Sequence, residues 1–171
     1  MDMKNTSKTQ RIVLTALLAA LTCVATMVIK IPSPMKGYLN LGDCIVLLSA
    51  GVLPPVYAFL AAGLGSALAD VFSGYAVYAP ATFVIKGIMT VLMYLMYKAT
   101  NRKMHSIPSR IISGTVAEVW MVVGYFLFEG CLYGFAPSAV NIPANAVQGA
   151  VGLALGCILI QFFEKNKNRL K

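Results

Sequence analysis

Six apolar runs divide the chain, separated by short polar or proline-containing breaks. The first covers 12–31 and is closed by Pro32 and Pro34, which cannot continue a helix. After a loop over 32–41, a second run covers 41–53 and stops at Pro54-Pro55, with Asn40 and Asp43 placed to cap it. The remaining runs are 56–72, 81–97, 111–132 and 142–163, the last with Pro143 suited to a first helical turn. Five of the runs approach or reach the roughly 20 apolar residues that a transmembrane helix needs. The second reaches only about 20 Å as a helix, against a hydrocarbon core of about 30 Å.

Composition and charge turn this pattern into a topology. The chain has 171 residues, 58% of them hydrophobic and 12% charged, and its mean hydropathy is +0.76. These values describe a membrane protein and leave room for one domain over 1–171, with short basic ends at 1–10 and 164–171. Eleven of the fourteen Lys and Arg fall in three segments: Lys4, Lys8 and Arg11; Lys98, Arg102, Lys103 and Arg110; and Lys165, Lys167, Arg169 and Lys171. The positive-inside rule makes all three cytoplasmic. That requires the short second run to cross, because otherwise the central basic loop would fall outside. The reading is an all-α, integral membrane bundle of six transmembrane helices, both termini cytoplasmic. The net charge of +8 then reflects topology and contact with anionic membrane lipid, with no nucleic acid implied. The apolar run after the basic start resembles a signal peptide, but no convincing cleavage site follows, so it reads as a retained helix. Cys23, Cys44, Cys131 and Cys157 are widely scattered. They read as packing thiols, with no metal site expected.

In this topology Asp43, Asp70, Lys86, Glu129, Asn145 and Gln148 all lie in the outer half of the bilayer. Lys86 sits about 9 Å into the fourth helix and needs a partner; Asp70, near the outer end of the third, is the natural candidate. That pair is either structural or part of a ligand site. Glu118, Val122, Tyr125 and Glu129 share one face of the fifth helix, and Asn141, Asn145, Gln148, Gly152 and Gly156 one face of the sixth. Glu118, close to mid-membrane, can hold a proton, pair with Lys86 or accept a hydrogen bond from a substrate, or it can tie helices together. The amides suit recognition of a heteroaromatic ring, or interhelical bonding. Tyr75, Tyr78, Tyr133 and Phe135 read either as outer-site residues or as interfacial belt. Ala16, Ala19, Ala20 and Cys23 give the first helix a small-residue packing stripe.

The chain has no GxxxxGK[ST] loop and no HExxH or GxSxG motif, and its single His105 lies in the central basic loop. An enzyme would depend on Glu118 and Lys86, a poor catalytic pair. Three readings stay open on the residues alone: a solute-binding subunit, an intramembrane enzyme using Glu118, or a structural membrane protein.

The segments Tyr38-Leu-Asn-Leu-Gly-Asp43, Gly65-Ser-Ala-Leu-Ala-Asp70, Tyr78-Ala-Pro-Ala-Thr-Phe-Val-Ile-Lys86-Gly87 and Ile142-Pro-Ala-Asn145-Ala-Val-Gln148 resemble the substrate-binding S components of energy-coupling factor (ECF) vitamin transporters. The resemblance covers nearly the whole chain. It implies a multi-pass protein of the prokaryotic cell membrane, a six-helix bundle with a vitamin site near the outer face that the loop after the first helix closes. Carried over, it selects Lys86, Glu118, Tyr125, Glu129, Asn145 and Gln148 as substrate-binding residues, supported by Asp70, Tyr38 and Tyr78. It also implies partners: Ala16 and Ala20 would dock on a transmembrane coupling protein driven by two cytoplasmic ATPases. Those ATPases bind the ATP, so this chain needs no cofactor of its own. The substrate suggested is a small heteroaromatic vitamin or precursor of pyridoxine or hydroxymethylpyrimidine type, with riboflavin or pantothenate as alternatives.

Overall fold

The computed structural model describes residues 7–32, 38–101 and 106–167. Helix α1 (Lys8–Val28) opens with a capping box, in which the Ser7 hydroxyl accepts from the Gln10 amide and the Gln10 side chain returns the bond to Ser7. The chain then makes an antiparallel hairpin of β1 (Lys30–Pro32) and β2 (Tyr38–Asn40), in which Lys30 pairs with Asn40 and Pro32 with Tyr38. The sequence reading places Lys30 and Ile31 in the first apolar run and the rest of this stretch in a plain loop. Its tip, with Pro34 and Lys36, lies outside the described residues.

Helix α2 (Gly42–Val52) follows, then α3 (Pro55–Phe72) and α4 (Ala79–Thr100). Helix α5 (Ser106–Tyr133) leads through a one-turn α6 (Phe135–Ser138) and a 3-10 turn (Ala139–Asn141) into α7 (Ile142–Lys167). The expected loop over 133–141 is therefore mostly helical. Only Gly134, at φ 94°, breaks it, in a backbone region that glycine enters at little cost. Among the described residues, five helices are long and apolar enough to cross a membrane.

The exception explains itself by burial. Ten of the eleven residues of α2 are buried. The helix packs against α1, α3, α4 and α7, while α1·α3, α3·α4, α4·α5 and α5·α7 contacts form an arc around it. A helix enclosed in protein need not match the bilayer thickness, because its ends meet polar protein groups instead of hydrocarbon. It also needs no amphipathic face, so its sequence is apolar nearly all round.

Close contacts fix the helix directions. A Cβ on Gly152 would lie 2.6 Å from Asp43 Cβ, one on Gly156 would lie 3.0 Å from Leu47 Cβ, and one on Gly51 would meet Ile160. Residue numbers rise together along both helices, so α2 and α7 are parallel. Phe83 against Gly63 and Phe59 against Gly87 make α3 and α4 antiparallel, and Ile85 against Gly124 with Thr82 bonded to Tyr125 does the same for α4 and α5. The six main helices thus alternate in direction, as the charge argument required. Lys8, Arg11, Lys98, Arg110 and Lys165 gather at one end, which we call the basic end. The acids and amides of the outer set gather toward the other.

The outward faces carry Val13, Leu17, Leu21 and Val24 on α1, Val119, Val123 and Leu127 on α5, and Val147, Val151, Leu155 and Ile158 on α7, all exposed. In a bilayer these side chains meet lipid. The thiols are less uniform than expected: Cys23 and Cys44 are buried, Cys157 is half-buried and Cys131 is exposed.

Candidate functional site

At the end opposite the basic residues, a narrow cleft with about 30 Å³ of enclosed space opens between the hairpin, α3, α4, α5 and α7. It is lined by Tyr38 and Asn40 of β2, Asp70 and Tyr75 at the end of α3, Tyr78 and Thr82 of α4, Tyr125 and Glu129 of α5, and Asn145 and Gln148 of α7. The helical spacing explains why these residues converge. Tyr78 and Thr82 are four apart, as are Tyr125 and Glu129, while Asn145 and Gln148 are three apart, so each pair shares one helix face.

The walls are aromatic. Tyr38 and Tyr75 have ring centroids 4.9 Å apart, Tyr75 and Tyr78 6.2 Å, and Tyr78 and Phe128 5.3 Å. Their polar atoms are largely committed. Tyr38 donates to Asp70 Oδ1 at 2.7 Å. Glu129 accepts from Asn141 Nδ2 at 2.9 Å and from the Tyr78 hydroxyl at 3.4 Å. The Thr82 and Tyr125 hydroxyls share a hydrogen bond at 3.1 Å. Burial, reinforced by the Asp70 carboxylate, pushes the Tyr38 hydroxyl well above the usual phenol range, so it remains a donor. Asp70 Oδ2 is buried with no hydrogen-bond partner among the described residues, and Asn145 is likewise uncommitted. It is half-buried in the cleft wall, and its amide has no hydrogen bond among the described residues.

Beneath the cleft lies a buried polar chain. The backbone N–H of Asn40 donates to Gln148 Oε1 at 2.9 Å, and Gln148 Nε2 donates to Asp43 Oδ2 at 2.6 Å. Asp43 Oδ1 accepts from Lys86. The Lys86 ammonium also lies 5.4 Å from the centroid of the Tyr125 ring, a cation–π contact. Glu118 rests against Gly149 and Gly152. It is buried, with neither carboxyl oxygen hydrogen-bonded among the described residues.

Two expectations are corrected here. Lys86 does not pair with Asp70; its carboxylate is Asp43. Because α2 starts below the hairpin, its first turn is level with Lys86, whereas Asp70 sits higher and is taken by Tyr38. Asp43 is also no helix cap. The residue before α2 is Leu41, which makes no side-chain cap bond, while Asn40 Oδ1 accepts from the Gly42 amide and Asp43 turns into the bundle. Of the residues singled out from sequence, Tyr38, Asp70, Tyr78, Tyr125, Glu129, Asn145 and Gln148 line the cleft. Lys86 and Glu118 lie in the layer below it. Sequence reasoning passed over Thr82, although it lies midway between Tyr78 and Lys86 at offsets of four, a helical repeat that marks it. Asn40 was missed as a wall residue because its contribution comes largely through its backbone.

This fold fits what known proteins show. The sequence profile described as "ECF-type riboflavin transporter, S component" matches residues 6–165. The chain belongs to this family. It is accordingly a substrate-binding S component of an ECF transporter, a multi-pass protein of the prokaryotic plasma membrane and not an enzyme. S components work with an ECF module of coupling protein and ATPases. A solved structure described as "Structure and mechanism of the S component of a bacterial ECF transporter" superposes with TM-score 0.73 at 24% identity, covering 96% of this chain and 99% of that one. The fold is therefore that of a known S component. An uncharacterised protein of Pyrococcus woesei is 38% identical over 135 residues, 78% of this chain and 87% of its own length. The thiamine precursor transporter HmpT of Lactococcus lactis subsp. cremoris (strain MG1363) is 26% identical, covering 96% of this chain and 92% of that protein.

Proposed function

We propose that this S component captures a small heteroaromatic thiamine precursor of the hydroxymethylpyrimidine type from outside the cell, in the cleft between the hairpin and helices α3, α4, α5 and α7. The observation that carries this reading is the uncommitted Asn145 amide in a wall otherwise made of tyrosine rings and hydrogen-bonded acids. An amide offers both a donor and an acceptor. It suits a ring nitrogen next to an exocyclic amino group. Glu129 and Asp70 provide acceptors for ligand N–H or O–H groups, and the tyrosines provide ring faces. The similarity to HmpT supports the same class of ligand. Lys86 and Glu118 act on the ligand indirectly: Lys86 holds Asp43, Asp43 holds Gln148, and Gln148 fixes both the cleft floor and the hairpin. The outward orientation is supported by the gathering of basic residues at the opposite end.

A second reading, riboflavin, is favoured by the profile that matches the chain. It requires a cleft that widens to take a three-ring ligand and its sugar-alcohol side chain.

Titration of purified protein with hydroxymethylpyrimidine, pyridoxine and riboflavin separates these readings. The aminopyrimidine is expected to bind most tightly. Asn145→Ala should weaken it about 3- to 10-fold, the worth of one neutral hydrogen bond, without lowering stability, because no protein partner is lost. Tightest binding of riboflavin, or binding unaltered in Asn145→Ala, would reject the proposal.

A further inference from the structure

The basic end of the bundle carries a second and larger cavity, of about 400 Å³, that the vitamin site does not use. It lies between the last turns of α4 and α7, over the end of α2 and beside the start of α5. Tyr94, Tyr97, Lys98 and Asn101 enter it at offsets of three, four and seven, one face of α4. Arg110 of α5 and Glu164 of α7 close the far side as an ion pair.

Two features point to an anion. The Arg110 side chain is 93% buried against this cavity, since only 7% of it is exposed. Its Nε has no hydrogen-bond partner among the described residues. A guanidinium satisfied on one edge alone retains a donor in a place water reaches poorly. The other polar groups can donate as well: the Lys98 ammonium, the Asn101 amide and the two phenols. Glu164 is the one anion among the lining residues and cannot balance both cations.

The position and the floor point to a lipid. The cavity sits where the helices end, at headgroup depth, and its base is apolar, with Met93, Ile160 and Ala50. Leu95 of α4 and Phe163 of α7 are exposed as well, so the same two helices also present apolar surface outward. Basic pockets between helix ends are a recurring way of holding anionic headgroups.

We propose that this cavity binds the phosphate of an anionic phospholipid, bridged between Arg110 and Lys98. The site is independent of the vitamin cleft and does not rest on the ligand assigned there.

The test uses the full chain in a neutral detergent, with native mass spectrometry to read bound lipid. The probes are short-chain phosphatidylglycerol, the matching phosphatidylcholine and inorganic phosphate. Phosphatidylglycerol is expected to bind clearly tighter than phosphatidylcholine. Lys98→Gln should weaken it about fivefold, the effect of one basic residue near a charged lipid. Arg110→Gln should weaken it at least as much. If Arg110→Gln fails to fold because Glu164 loses its partner, Lys98→Gln alone decides. Equal binding of the two lipids, or unchanged binding in Lys98→Gln, overturns the proposal. Saturation by inorganic phosphate at the same concentrations would assign the site to a soluble anion and overturn the lipid. Lys98→Gln reducing capture of the coupling protein with no effect on lipid would make the cavity a protein-docking surface, and would overturn it too.

Discussion

The buried pair of Lys86 and Asp43 gives the sharpest energetic prediction. Only 3% of the Lys86 side chain and none of the Asp43 side chain is exposed. Asp43→Leu would take from the ammonium its hydrogen-bonded carboxylate, leaving the Tyr125 ring and the more distant acids Glu118 and Asp70 around it, and would strand Gln148 Nε2. Breaking a buried ion pair on one side costs about 3–5 kcal/mol. Lys86→Met should cost as much, because it leaves the Asp43 carboxylate beside buried Glu118 with no cation between them. The double variant Asp43→Leu/Lys86→Met removes both charges and replaces them with apolar volume, for which the expected cost is about 2 kcal/mol, mostly the orphaned Gln148 amide. The two substitutions should therefore be strongly non-additive, with a coupling of at least about 3 kcal/mol. Reversible unfolding of the four proteins in one detergent, followed by circular dichroism, measures it. Additive losses, or single variants as stable as the parent, would refute the view that these residues hold the bundle and position Gln148.

Three further outcomes follow from the geometry. Gly152→Ala would place a Cβ 2.6 Å from Asp43 Cβ and 3.1 Å from Glu118 Oε1; forcing α2 and α7 apart should cost about 1–3 kcal/mol, read as a lower unfolding midpoint. Ala16 and Ala20 are exposed on α1, while Ala19 and Thr22 approach Gly65 of α3. The double variant Ala16→Trp/Ala20→Trp should therefore keep the fold and ligand binding but lose ATP-dependent uptake and capture of the coupling protein; surviving uptake would remove those alanines from the docking face. In a cysteine-free background, the exposed positions Ala76 and Asn101 sit at opposite ends of the bundle. Replaced by Cys, only the first should react with an impermeant reagent added outside whole cells, and the reverse pattern would invert the topology.

Much of this architecture was legible because membrane helices announce themselves by length, proline breaks and the placement of charge. The direction of α2 followed from charge parity, although its length argued against a crossing. Its enclosure by other helices did not show, because an apolar helix buried in protein and one facing lipid have the same composition. The outer cluster was legible on α5 and α7, where Tyr125, Glu129, Asn145 and Gln148 repeat at helical spacing. Depth was harder to read. Pairing Lys86 with Asp70 rests on that acid lying near the outer end of the third helix; the structure brings Asp43 of α2 to the lysine instead. The hairpin itself left no trace in the sequence, since three residues per strand give no period to detect. The cavity at the basic end was equally hidden: Tyr94, Tyr97 and Lys98 look like ordinary interfacial residues until α7 places Glu164 across from them.

The central claim is that the cleft beside Asn145 holds a small heteroaromatic vitamin precursor. The most direct measurement is mass spectrometry of whatever small molecule leaves the gently purified protein on denaturation. We predict a thiamine precursor bearing an aminopyrimidine ring, recovered from the parent protein and depleted in Asn145→Ala. Recovery of riboflavin instead, or of the same compound undiminished from the Asn145→Ala protein, would contradict it.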